Sequence, residues 1–171
     1  MELINNTSKT LKDDLSVEIK KGSKLSIAAA CFSIYAFQEL KKQLTSIEEL
    51  RFIFTSPTFV AEKTKKEKRE FYIPRLNRER SLYGTEFEIK LRNEMTQKAI
   101  AKECADWIKE KVTFKSNISD KTIQGQLVVD DTGYTPINNF TTVELGCEKG
   151  NVISTTIVKD QSLAQTLIRD F

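Results

Sequence analysis

The sequence predicts a single α/β domain, on three observations. Its first third alternates amphipathic with continuously apolar stretches; its 171 residues suit one domain; and 39% apolar against 30% charged residues is the balance of a chain with a real core. A domain of this size buries roughly 70% of the surface that its unfolded chain exposes, so it folds without disulfide or metal staples. Three prolines and six glycines exclude a low-complexity or linker-like chain.

The elements follow in order. Leu11, Leu15 and Ile19, spaced i, i+4, i+8 on a charged background, predict a helix over Thr10–Lys21, with Gly22 placed to cap it. Lys24–Phe32 is a short apolar run of small residues and reads as a buried strand. Ile34–Leu44 is helical, with Phe37, Leu40 and Leu44 on one side, and Leu50–Thr55 is a second buried strand stopped by Ser56-Pro57. Helix, strand, helix, strand with short joints is the pattern of a parallel sheet covered by helices.

The pattern breaks between Val60 and Gly84. Glu62–Glu70 is a run of mixed charge, and Phe71–Arg80 interleaves aromatics with arginine, so the domain carries a charged excursion. Glu86–Lys111 is the longest helical stretch, with Phe87, Leu91, Met95, Ala99, Ala105 and Ile108 near helical spacing. The remainder is β-rich: Val112–Lys115, Thr122–Val129 and Asn151–Val158 read as strands, and Asp131-Thr132-Gly133 as the turn between two of them. Gln161–Phe171 is a closing helix bearing Leu163 and Leu167. The sequence stops inside it with no cap or polar tail, so a longer parent protein is expected.

Composition narrows the chemistry. A net charge of +3 permits contact with nucleic acid without arguing for it. Cys31, Cys104 and Cys147 stand far apart with no CxxC pair, which predicts reduced thiols and a cytoplasmic location rather than a disulfide framework or zinc ribbon. The N-terminus lacks a basic stretch followed by an apolar core, and the longest apolar run, Ile27–Phe32, is far short of the ~20 residues that span a bilayer, so no membrane partner is expected.

The sequence contains no histidine. A Ser-His-Asp triad, a Cys-His dyad, a histidine metal ligand and an imidazole acid or base are therefore excluded. No glycine cluster makes GxGxxG or GxxxxGK. Asp130-Asp131 is the nearest pair of carboxylates that a magnesium ion could use, but it stands where a β-turn wants aspartate for local reasons. Cys147 has no visible base beside it. Arg75, Arg78 and Arg80, with Tyr72 and Tyr83, combine fork-shaped donors with stacking surfaces suited to phosphate and base. The alternative is a solvated segment in which Glu79, Glu86 and Glu88 pair with those arginines.

One stretch carries a family resemblance. Phe114-Lys115-Ser116-Asn117, then Ile123-Gln124-Gly125-Gln126-Leu127-Val128-Val129, then Gly133-Tyr134 and Pro136-Ile137-Asn138-Asn139-Phe140-Thr141 resemble the second half of a phospholipase D-like domain. In that family a strand carries His-x-Lys, the next turn an aspartate, and the following strand ends in Gly-Ser-x-Asn, often continuing Phe-Thr. The histidine attacks phosphorus; the lysine and asparagine hold phosphate oxygens. Here the histidine position falls on Gln124, the lysine position on Gln126 and Gly-Ser on Pro136-Ile137; Asp131 keeps the spacing of the aspartate, and the asparagine survives as Asn139. Ser26–Ser33 resembles the strand-to-helix opening of the same domains, and the whole chain is similar to the N-terminal phospholipase D-like region of bacterial Swi/Snf-type or DEAD-like helicases.

The resemblance implies a mixed sheet sandwiched between helices, and a degenerate site at Gln124, Gln126, Asp131 and Asn139. Glutamine has no basic lone pair for covalent attack on phosphorus and no charge to offset a phosphate oxygen. The resulting expectation is a non-catalytic accessory domain of a DNA-dependent ATPase. It would bind DNA or RNA through Arg75, Arg78, Arg80, Tyr72 and Lys115, or dock on a motor C-terminal to it, with no cofactor of its own and ATP and Mg²⁺ confined to that motor. A homodimerisation module is the second expectation, and a metal-dependent nuclease using Asp131 the third.

Overall fold

A computed structural model of the chain describes residues 1–55, 94–118, 123–147 and 156–169. The excursion at 60–84, and with it Tyr72, Arg75, Arg78, Arg80 and Tyr83, lies outside the described residues. The described elements are β1 (Glu2–Ile4), α1 (Leu11–Glu18), β2 (Lys24–Ala29), α2 (Ile34–Glu39), α3 (Lys41–Leu44), β3 (Glu49–Phe54), α4 (Glu94–Lys111), β4 (Val112–Ser116), β5 (Gln126–Val129), β6 (Thr132–Thr135), β7 (Ile157–Asp160) and α5 (Gln161–Ile168). The strands form one seven-stranded sheet in the order β1-β7-β6-β5-β2-β3-β4.

The sheet is mixed. β2, β3 and β4 run parallel, and β5, β6, β7 and β1 continue antiparallel from β2 onwards. Residues alternate between faces. Register puts Ile27, Phe52, Phe114, Leu127 and Tyr134 on one face, and Ala28, Ile53, Lys115, Gln126 and Gly133 on the other. The first face meets the earlier helices. Trp107 of α4 packs on Phe37 at 4.8 Å and Phe32 at 6.3 Å, and its Nε1 donates to the Leu44 carbonyl at 2.8 Å. Phe32 also contacts Phe52, Phe114 and Phe140, so one aromatic cluster joins both halves of the sheet.

The other face receives α5. A Cβ at Gly133 would lie 2.9 Å from the Leu163 Cβ and 3.0 Å from the Ala164 backbone nitrogen, so only glycine admits the helix this close. Gln126 donates its side-chain Nε2 to the Leu167 carbonyl at 3.1 Å, satisfying one of the acceptors that a helix C-terminus leaves open. At the helix start Asp160 accepts from Ser162 N–H at 2.7 Å.

Several element boundaries differ from the sequence reading. α1 begins at the expected Thr10 cap, whose Oγ1 accepts from Asp13 N–H at 3.1 Å, but it ends at Glu18. Ile19 turns extended (ψ 115°) while its side chain stays in the core, which preserved the helical spacing past the helix. Gly22, at φ +83°, sits in the turn before β2, where its N–H bonds the Ser46 carbonyl at 2.8 Å. The Ile34–Leu44 helix is broken at Leu40 (φ −113°) into α2 and α3. Finally, the turn is Asp130-Asp131 rather than Asp131–Gly133, because Thr132 and Gly133 pair with Val129 and Val128 as strand.

A buried charge cluster ties the antiparallel half to α1. Asp14, only 4% exposed, accepts from the Tyr134 hydroxyl at 2.7 Å and lies 2.6 Å from Lys9 Nζ and 2.9 Å from Lys159 Nζ. Lys159 also reaches Glu18 at 3.1 Å, and Thr132 donates to the same carboxylate at 2.9 Å. Burial opposes the Asp14 charge, but hydrogen bonds from Lys9, Tyr134 and Lys159 outweigh it and hold its pKa below the ordinary value. Burial, reinforced by the neighbouring Asp14, pushes the Tyr134 phenol up, so it stays a donor.

A carboxyl whose folded pKa is depressed contributes stability above its unfolded pKa, near ~4, and loses it as pH falls through the folded value. Asp14→Ala is expected to cost about 2–4 kcal/mol at pH 7, since it leaves the buried Tyr134 hydroxyl without its acceptor and takes one carboxylate from Lys9 and Lys159, which keep Glu2 and Glu18. Urea unfolding at pH 7, 5, 4 and 3 checks both points: the Asp14→Asn chain is expected to lose less stability than wild type below about pH 4.

Candidate functional site

Parallel strands deliver their connections to one end, and in open α/β sheets ligands bind at that carboxyl end, beside the strand where the order reverses. Here that strand is β2, with parallel β3 on one side and antiparallel β5 on the other. Because β5 runs the opposite way, its first residues lie at the carboxyl end of β2, with Gln126 opposite Ala28.

The segment after β6 crosses the same end. Ala30 N–H bonds the Asn138 carbonyl at 2.9 Å, Phe140 N–H the Cys31 carbonyl at 3.0 Å, and Ser33 N–H the Phe140 carbonyl at 3.0 Å. Gly125 is pressed against this segment: Ile137 N–H bonds its carbonyl at 3.0 Å, and a Cβ there would meet the Ile137 oxygen at 1.8 Å. Of the expected Thr122–Val129 strand, only Gln126–Val129 is strand among the described residues, and Thr122 lies outside them. From the parallel side, Asn117 brings its N–H to the Phe54 carbonyl and its Nδ2 to the Thr55 carbonyl, both at 3.1 Å.

The expected site residues separate into three places. Gln124 is exposed at this end and its Nε2 lies 3.4 Å from Thr135 Oγ1; Asn139 is half-buried at the same end with its Oδ1 shielded and without a hydrogen-bond partner. Gln126 is on the α5-covered face, 1% exposed. Asp131 is exposed in the β5–β6 turn at the opposite end of the strand, about 15 Å from Gln126 at ~3.3 Å per residue. Asp130, not Asp131, is the turn's anchor: at φ +49° it accepts from Lys24 N–H at 2.8 Å and donates back to the Lys24 carbonyl at 3.0 Å. Lys115, exposed on edge strand β4, shares one register row with Ile53, Ala28 and Gln126, about 14 Å from Gln126 at ~4.8 Å per strand.

Among the described residues the carboxyl end thus gathers amides, hydroxyls and backbone groups, with the Lys115 ammonium at its rim and the buried Glu144 carboxylate accepting from Asn138 N–H at 2.9 Å behind it. Among the described residues no group of three or more carboxylates or thiols is placed to hold a metal ion. Cys104 is buried, and burial pushes its thiol up to about 12, far from a reactive thiolate. Sequence reasoning missed Ser33, Thr55 and Asn117 as neighbours of this end; only the parallel order of β2, β3 and β4 brings them there.

A cavity of about 300 Å³ lies elsewhere, lined by Met1, Glu2, Glu18, Thr132, Lys159, Asp160 and Gln161. Its charged groups are already engaged: Glu18 with Lys159 and Thr132, Asp160 with Ser162 and the terminal ammonium, and Glu2 with Lys9.

No helix among the described residues is long and apolar enough to cross a membrane. The chain matches no protein-family profile, no curated protein and no solved structure.

Gln126→Ala is expected to cost about 1 kcal/mol. It should also raise amide exchange selectively in the last turn of α5, where an open carbonyl loses its donor. Hydrogen exchange read by mass spectrometry over 161–168 checks this; unchanged protection there would show that the amide does not hold the helix.

Proposed function

We propose that this chain is a non-catalytic, phospholipase D-like accessory domain that binds nucleic acid beside a DNA-dependent ATPase motor. The observation that carries the reading is the chemistry at two positions. By the sequence resemblance, Gln124 and Gln126 fall at the positions where a phosphodiesterase of this type has its nucleophile and its phosphate-binding cation, and Gln126 has its amide committed to a helix carbonyl. Neither side chain can form a covalent phosphoryl intermediate.

Several features support a polymeric, phosphate-bearing ligand. Gln124, exposed at the carboxyl end, is a neutral donor, and Lys115 at its rim is a cation. The excursion supplies Arg75, Arg78 and Arg80 with Tyr72 for stacking and bidentate contacts. Nucleic-acid type is decided by experiment.

Fluorescence anisotropy with labelled single- and double-stranded DNA and RNA, at about 50 mM and about 200 mM salt, is expected to give binding that weakens as salt rises. Arg78→Ala and Lys115→Ala should each weaken it across all sequences. A metal-free phosphodiesterase assay is expected to show no turnover. Absence of binding at the lower salt would overturn the nucleic-acid reading, and metal-free hydrolysis that survives repurification would overturn the non-catalytic one.

A further inference from the structure

Helix α5 is docked in a way that bears on the same site. Of its eight residues only Ala164 is buried; Leu163 and Leu167 are half-buried, and Ile168 is 39% exposed. Its seat is the bare backbone of Gly133, and its last turn is held by the Gln126 amide. A helix held by one buried alanine, two half-buried leucines over Gly133 and the Gln126 hydrogen bond, with its remaining residues exposed, belongs towards the low-stability end of a domain, where local opening is cheapest. The core behind it is held independently by the aromatic cluster on the opposite face.

What α5 covers is the buried Gln126 amide at the edge of the candidate site. The Leu167 carbonyl accepts from Gln126 Nε2 as a phosphate oxygen would, and it is part of a helix C-terminus, whose partial negative charge disfavours an anion nearby. Phosphate and docked α5 therefore compete for the same donor. We propose that α5 is a built-in competitor of nucleic acid: docked, it occupies Gln126 and closes this edge; lifted, it frees the Gln124–Gln126 edge for a phosphodiester backbone. The inference rests on the nucleic-acid reading above and adds a regulatory element to it.

The test loosens α5 without changing charge. Gly133→Val puts side-chain atoms where the helix backbone lies, and Ala164→Gln overfills its buried contact from the other side. If one variant fails to fold, the other carries the experiment. Hydrogen exchange over 161–168 reports undocking, and anisotropy with a labelled single-stranded oligonucleotide reports binding. Each folded variant is expected to exchange faster in α5 and to bind at least about fivefold tighter than wild type. The gain should vanish when Gln126→Ala is added. Gln126→Ala alone loosens α5 yet offers no amide, so it should give no gain, which separates access from loosening. If wild type binds but undocking leaves affinity unchanged or weaker, the competitor idea is wrong and the nucleic-acid reading stands. If neither wild type nor the undocked variants bind, both fall.

Discussion

The strand β2 imposes the constraint on which the rest of the fold depends. After Lys24 every residue in it is buried, so both its faces are covered and both its edges are bonded. A strand buried on both sides reads as a continuous apolar run, and Leu25–Ala29 is one. Parallel pairing with β3 sends the chain after both strands to the same end, and antiparallel pairing with β5 returns the chain to that end. A sheet that changes direction at its centre thus gathers residues from positions 30, 55, 117, 124 and 139 without any of them being close in sequence. The candidate site is a consequence of β2's two unlike neighbours.

The two halves of the sheet are secured by different physics. On the parallel side the aromatic rings of Phe32, Phe52, Phe54, Phe114 and Trp107 fill the space under α4, an arrangement driven by area removed from water. On the antiparallel side the strands are short, four residues or fewer, and a buried carboxylate does part of that work. Asp14 collects Lys9 from before α1, Tyr134 from β6 and Lys159 from β7. Desolvating one carboxylate is unfavourable, and three donors offset it only if all arrive in register. The cluster therefore specifies how α1 sits on β6 and β7, which apolar contacts alone specify less sharply.

Most of the fold was legible in the sequence because its central elements have long, unambiguous patterns. β2 and the helices α1, α4 and α5 lie within stretches that the sequence pattern marks out, and β3 and β4 match theirs to within one residue at each end. The misreadings have physical causes. β1 is three residues, too short for alternation to show, and it is a strand only because β7 pairs with it. β6 is Thr-Gly-Tyr-Thr, whose glycine reads as turn, whereas its absent side chain makes room for α5. Asp14 looks like a solvated helix residue because Tyr134 and Lys159 lie 120 and 145 positions away, beyond any local signal. Gln126 was legible as a position and not as a contact: nothing in its neighbourhood announces the carbonyl of Leu167, 41 residues on.

That contact explains why a neutral side chain suits this position. Position 126 is 1% exposed and faces a helix C-terminus. An ammonium there, with no phosphate bound, would be a buried charge facing only partial negative charge, and desolvation would force it to lose its proton or open the structure. An amide gives the same donor geometry with no charge to desolvate. A lysine at this position is compatible with a site kept open to water and anions; a glutamine is compatible with one closed by α5. A neutral side chain at position 126 and a helix docked over it are thus a single structural solution, in which the Gln126 amide caps the element lying on it.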